Sequence, residues 1–141
     1  MNIAFFLTLK KDIVYLYDDF SMRQALEKMK IHGYTAIPVL SHDGKYIGTV
    51  SEGDFLWYFF DKEKKKRVFN EKELEKTSLK EIIKNDKYNS VKITASIEEL
   101  VSMSLTQNFV PVVDDSDNFV GLVLRKDIIK HFSEKSKIQR K

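Results

Sequence analysis

Residues 33–54 read GYTAIPVLSHDGKYIGTVSEGD, and residues 106–127 read TQNFVPVVDDSDNFVGLVLRKD. Laid side by side, Pro38 falls on Pro111, Gly48 on Gly121 and Asp54 on Asp127, each pair 73 positions apart. Three residue types with different backbone demands, held in register, mark one supersecondary unit used twice. Each copy gives an apolar strand with a proline, a polar turn, a returning strand and a helix start. His42-Asp43-Gly44 and residues 115–118 carry the turn chemistry of hairpins. Proline removes a ladder donor, so its strand is expected at an edge, or paired from one side at that point.

Outward from the hairpins the pattern continues. Residues 13–16 (IVYL) and 91–93 (VKI) read as first strands. Met22, Ala25, Leu26 and Met29 make one helical stripe behind the capping residues 18–21, and Ile97, Leu100, Val101, Ser104 and Leu105 make the other. Gly33 reads as a left-handed helix end. The second helix-to-strand link is about two residues shorter than the first. Residues 77–83 read as a short capped helix that mirrors residues 2–8, and the apolar N-terminus is expected as a first turn packed on the core. After Asp54 the run FLWYFF is apolar nearly all round, which predicts burial on more than one side. The last helix is expected to end near Phe132.

The fold class is therefore α/β, with two pseudo-symmetric repeats of helix-strand-helix-strand-strand-helix packed sheet to sheet. The organisation is a first repeat over 1–62, a charged linker over 63–76, a second repeat over 77–135 and a basic tail over 136–141. Half of this chain buries too little to be safely stable alone.

Composition narrows the function. The chain has 141 residues, 43% hydrophobic and 32% charged, with net charge +3 from 24 basic and 21 acidic residues. That balance does not point to nucleic acid. The basic run at Lys64, Lys65, Lys66 and Arg67 is interleaved with acids and lacks stacking aromatics, so it reads as a solvated connection. There is no cysteine, hence no disulfide framework and no thiolate nucleophile or ligand. The apolar N-terminus lacks signal-peptide flanks and falls short of the roughly 20 residues of a membrane span. No GxSxG, P-loop, GxGxxG or HExxH occurs, and His32, His42 and His131 are too far apart for a zinc pair. The histidines read as surface or helix-end residues. A non-enzymatic role without cofactor or metal is expected.

The two strand-to-helix corners offer binding chemistry instead. A helix N-terminus presents free N–H groups and a dipole suited to phosphate. Ser51 adds a hydroxyl and Asp54 an acceptor for ribose hydroxyls; a plainer reading has both residues capping the helix. In the second copy Leu124 replaces the serine, and Arg125 and Lys126 precede Asp127. That corner is the more cationic and suits the more anionic ligand.

The apolar-Pro-Val strand, the turn, the Gly-apolar-apolar-Ser-x-x-Asp run and the tandem copy resemble a CBS-domain pair, also called a Bateman module. Residues 33–40, the shortened link before Asn108 and the pair Arg125-Lys126 are similar to the small stand-alone CBS receptors for cyclic di-AMP of Gram-positive bacteria. The resemblance implies a cytoplasmic regulatory module that binds cyclic di-AMP in a cleft between the repeats, forms homodimers and controls a partner protein, such as an enzyme of the stringent response or of central metabolism. Nucleic acid and membrane are not implied. Carried onto this chain, the first ligand site comprises Val14, Tyr34, Thr35, Ala36, Arg125, Lys126 and Asp127. A second comprises Ser51, Asp54, Val91, Phe109 and Val110. Two other readings stand beside it: a general AMP, ADP or ATP sensor, and a dimerising scaffold with no cleft ligand.

Overall fold

The computed structural model describes residues 2–60, 70–83 and 88–139, with side chains through residue 136. The basic run at Lys64, Lys65, Lys66 and Arg67 and the end of the tail therefore lie outside the described residues. The chain divides into two compact units, residues 14–87 and residues 1–13 with 88–141.

The 14–87 unit holds a three-stranded sheet. Strand β2 (Leu16–Tyr17) runs parallel to β3 (Ala36–Leu40), which pairs antiparallel with β4 (Tyr46–Ser51). Helix α1 (Met22–His32) starts at a capping box in which the Ser21 hydroxyl accepts from the Gln24 N–H at 3.1 Å and the Gln24 side chain accepts from the Ser21 N–H at 2.8 Å. It ends at Gly33 in the left-handed region, φ 68°. Its stripe of Met22, Ala25 and Met29 is buried on Leu16, Ile37, Val39 and Val50. Helix α2 (Glu52–Phe60) follows β4, and the short α3 (Glu71–Lys76) is capped by Asn70 and tied to α1 by Arg23, which pairs with both Glu27 and Glu75. Ser78 and Glu81 form a second capping box around a 3-10 turn, and Leu79 and Ile82 enter this core.

The other unit holds a four-stranded sheet in the order β1 (Leu7–Leu9), β7 (Phe119–Leu124), β6 (Phe109–Val113), β5 (Val91–Lys92), with helices α4 (Ile97–Ser104) and α5 (Arg125–Gln139). Ile3 and Phe6, on a 3-10 turn, join its core with Leu100, Val110, Val112 and Val123. The leading turn of each repeat thus packs in the unit formed mainly by the other repeat.

The two hairpins share one register. Pro38 pairs with Thr49 and Val39 with Gly48, then Leu40 with Tyr46, leaving Ile47 as a bulge. Pro111 pairs with Leu122 and Val112 with Gly121, then Val113 with Phe119, leaving Val120 in the same place. Both prolines lie on central strands rather than edges, yet the short β2 and β5 begin one residue later, so each proline is paired from one side.

Five expectations are corrected. The first strand lies at Leu16–Tyr17, not 13–16, because only those residues reach Val39 and Leu40. The N-terminal turn continues into β1, which pairs with β7. Helix α2 buries Asp54, Phe55 and Tyr58 but leaves Leu56, Trp57 and Phe60 more than half exposed. Helix α5 runs to Gln139, since nothing after Phe132 supplies a glycine or proline stop. His131 is half-buried rather than a plain surface residue: its ring sits 5.1–5.3 Å from those of Phe5, Phe6 and Phe132, with Nε2 buried.

Candidate functional site

Each unit presents one strand-to-helix corner, built on the same backbone. The N–H of Glu52, first residue of α2, donates to the carbonyl of Thr35 at 3.0 Å; the N–H of Arg125, first residue of α5, donates to that of Asn108 at 3.0 Å. Ala36 pairs with Ser51 in one ladder and Phe109 with Leu124 in the other. The residues just before β3 and β6 are therefore held beside the helix starts, which is why Thr35 and Ala36 lie with Ser51, and Asn108 and Phe109 with Arg125.

The side chains differ. In the 14–87 unit the Asp54 carboxylate accepts from the Ser51 N–H at 2.8 Å and from the Ser51 hydroxyl at 3.1 Å, and Asp54 is only 3% exposed. This is the capping arrangement. Glu52 adds a second acid in the first turn. Tyr34 is exposed and stacks on His32, ring centroids 5.3 Å apart, while Thr35 is exposed and Ala36 half-buried. Val14 precedes β2 and packs against the unit's core.

In the other unit Leu124 supplies no hydroxyl. Asp127 and Arg125 are half-buried and Lys126 is exposed. Among the described residues none of these three side chains has a hydrogen bond or ion pair. A hollow of about 320 Å³ opens here, lined by Asn108, Leu124, Arg125, Lys126 and Ile129. Asn108, Leu124 and Ile129 are not among the site residues expected from sequence; the 73-residue offset from Thr35 to Asn108 is the signal that would have placed the first there. Asn108 is held by the Tyr88 hydroxyl, which donates to its side-chain oxygen at 3.0 Å. Phe109 is buried against Tyr88, whereas Val91 and Val110 are core residues, 3% and 0% exposed. Those two valines have almost no side-chain surface to offer a ligand.

Among the described residues no group of three or more histidine, cysteine, aspartate or glutamate side chains is placed to hold a metal ion. No described helix is long and apolar enough to cross a membrane.

A family model described as CBS domain matches residues 7–61 and again 78–134. Over 131 residues the chain is 22% identical to the uncharacterized protein MJ1225 of Methanocaldococcus jannaschii; the match takes in 87% of this chain and 45% of that protein, so the chain spans about half the length of this relative. The Listeria monocytogenes CbpB protein in complex with c-di-AMP superposes with a TM-score of 0.83 at 20% identity, over 96% of this chain and 98% of the other. CBSX2 in complex with AMP superposes with a TM-score of 0.76 at 18% identity, over 96% and 98%.

Proposed function

The chain belongs to the CBS-domain family, with one matched domain in each half, and from that premise we propose that it is a regulatory module that binds cyclic di-AMP and controls a partner protein. The observation that carries this reading is the corner at Arg125. Two cations without a protein partner among the described residues stand at the start of a 15-residue helix, beside a hollow of about 320 Å³. A guanidinium grips a phosphate through two parallel hydrogen bonds, Lys126 adds a second positive charge, and the helix N-terminus favours an anion. Cyclic di-AMP carries two phosphodiesters and two adenines. In the 14–87 unit, taken by itself, the exposed ring of Tyr34 offers a surface suited to a base.

Binding without turnover is the expected chemistry. Control follows if the ligand has unequal affinity for two shapes of the module, only one of which the partner accepts. Self-association belongs to the same proposal: Leu56, Trp57 and Phe60 on α2, and Ile129 and Phe132 on α5, are large apolar side chains left exposed in their own units. A cytoplasmic location goes with a cyclic dinucleotide signal.

The test is calorimetric titration with cyclic di-AMP, AMP and ATP in one buffer. Cyclic di-AMP is expected to bind and Arg125→Ala to abolish binding. Asp127 favours a second reading, since its carboxylate lacks a protein partner among the described residues and suits both hydroxyls of a ribose. Binding of AMP or ATP with no response to cyclic di-AMP would establish that adenylate-sensor reading. No heat from any of them would leave a scaffold.

A further inference from the structure

The side-chain amide of Asn108 has an acceptor end and a donor end, and the hollow at Arg125 suits an anion only if the anion meets the donor end. We infer that Tyr88 is a positioning residue for this site: by holding the Asn108 side-chain oxygen, it leaves the amide N–H groups to donate to a nucleotide phosphate beside Arg125. The inference rests on the nucleotide-binding reading above and adds to it two residues which that reading does not use.

Tyr88 is itself fixed in place. Its ring centroid lies 4.8 Å from that of the buried Phe109, with the rings tilted by 33°. The next residue is clamped. The Asn89 N–H donates to the side-chain oxygen of Gln107 at 3.1 Å, and the Gln107 amide donates to the Asn89 carbonyl at 3.1 Å and to the Phe109 carbonyl at 3.2 Å. Gln107 is only 4% exposed, so these bonds form away from water, where an unmade one costs most. Residues 88–89 are thereby laid against 107–109, and the Tyr88 hydroxyl donates to Asn108 Oδ1 at 3.0 Å. Asn108 is held at a second point, since its backbone carbonyl accepts from the Arg125 N–H at 3.0 Å. Both of its oxygens are engaged. What is left is Nδ2, with two donors and no hydrogen bond to a described residue. Turned the other way, the amide would set Oδ1 against the phosphate, acceptor facing acceptor. A phenol is the better donor than acceptor, so Tyr88 favours the productive orientation.

The fold itself does not require this bond. Leu16 and Val91 occupy matched places in the two sheets, which sets Ile13 opposite Tyr88 in the repeat, and Thr35 stands where Asn108 does. Ile13 has nothing to donate, yet the backbone bond from the helix start to the Thr35 carbonyl keeps the same 3.0 Å. The tyrosine and the amide occur together only in the copy whose corner carries Arg125 and Lys126.

The experiment is a double-mutant cycle read by calorimetry with cyclic di-AMP, and separately with AMP. Tyr88→Phe keeps the ring on Phe109 and removes only the hydroxyl. It should unfold at the wild-type temperature and bind nucleotide about fivefold more weakly, the worth of one hydrogen bond. Asn108→Ala removes the donor itself and should weaken binding about tenfold. Adding Tyr88→Phe to Asn108→Ala should cost nothing more, because Tyr88 acts through Asn108. Unchanged affinity in Tyr88→Phe overturns the inference, and so do losses that simply add. A further measurement needs no variant: in NMR spectra of the wild type, the Asn108 side-chain amide protons should shift as nucleotide saturates the protein. An unmoved amide overturns the inference too. In each of these cases the wild type still binds and the nucleotide reading stands. No binding of either nucleotide to the wild type removes that reading, and this inference with it.

Discussion

The two units are nearly one design at the level of the backbone and two designs at the level of side chains. Both hairpins keep the same register, with a bulge at the same place, and each delivers a helix start to a matched carbonyl, Thr35 in one and Asn108 in the other. At that start one unit satisfies itself with Ser51 and Asp54, and the other leaves Arg125, Lys126 and Asp127 without protein partners among the described residues. A repeat fixes where a site can be. The residues that differ between its copies set what each corner presents, Glu52 beside a bonded Asp54 in one and Arg125 beside Asp127 in the other.

The largest effect expected from breaking this contrast falls on ligand binding. Arg125→Ala should weaken cyclic di-AMP binding by about 100-fold or more, on the order of the 3 kcal/mol that a charge-assisted bidentate contact contributes. Glu52→Ala, at the matched position of the other unit, should leave binding unchanged or slightly stronger by removing a negative charge. Equal losses from both substitutions, read by calorimetry, would mean that the corners act alike.

The next effect concerns the sheets. A Cβ on Gly121 would lie 2.1 Å from the Thr8 carbonyl oxygen, a backbone atom, because β1 runs closely beside β7 there. Gly121→Ala should force β1 off the sheet and destabilise the protein by about 2–3 kcal/mol, as overpacking does. Denaturant unfolding measures the loss, and hydrogen exchange should show it concentrated at residues 7–9. Undiminished protection there would mean that β1 shifts to accommodate the methyl group.

Closer to the corners, Asp54→Ala removes a buried cap and should cost about 1–2 kcal/mol. Asp127→Ala removes a carboxylate with no bond to a described residue and should cost nearly nothing in stability. Matching losses in urea unfolding would show that Asp127 caps α5 after all.

This contrast also explains what could be read from the sequence. The hairpins, the end of α1 at Gly33 and the caps at Ser21 and Ser78 depend on residues a few positions apart, so local chemistry specified them. Strand β1 has only Leu7, Thr8 and Leu9 to announce it, and its partner lies more than a hundred residues on. What permits that pairing is the missing side chain of Gly121, which local pattern cannot interpret. The exposed side of α2 was hidden for a related reason: Leu56, Trp57 and Phe60 are apolar wherever they point, and only the packed structure says which face meets the core. At the site, the motif located both corners. It offered capping by Ser51 and Asp54 as the plainer reading, but it did not say that Val91 and Val110 are consumed by the core.

The smallest effect sharpens the comparison at the opposite ends of the sheets, where each unit ties its first strand to its hairpin turn. In one, His42 stacks on Tyr17 at 4.3 Å and contacts Asp19 at 2.8 Å, an ion pair only while the imidazole is protonated. In the other, the Lys92 ammonium sits 2.7 Å from Asp117, which the chain holds at a positive φ of 65°. The hydrogen bond to Asp117 raises the Lys92 pKa above its ordinary value, against a smaller opposing effect of desolvation. A cation whose pKa is raised by folding stabilises the folded state fully below its unfolded value, and that contribution disappears as pH rises through the folded one. The Lys92 tie should therefore hold constant across neutral pH and fail only in alkali, above the ordinary lysine value of about 10.4. Because the pair is exposed, its effect on global stability should be slight, and the readout has to be local. In a side-chain NMR titration Lys92 should lose its proton above the ordinary lysine value, and Asp117→Asn should bring it back down towards it. A Lys92 that titrates at the ordinary lysine value in the wild type would dissolve the tie and leave the two strand ends without a shared design.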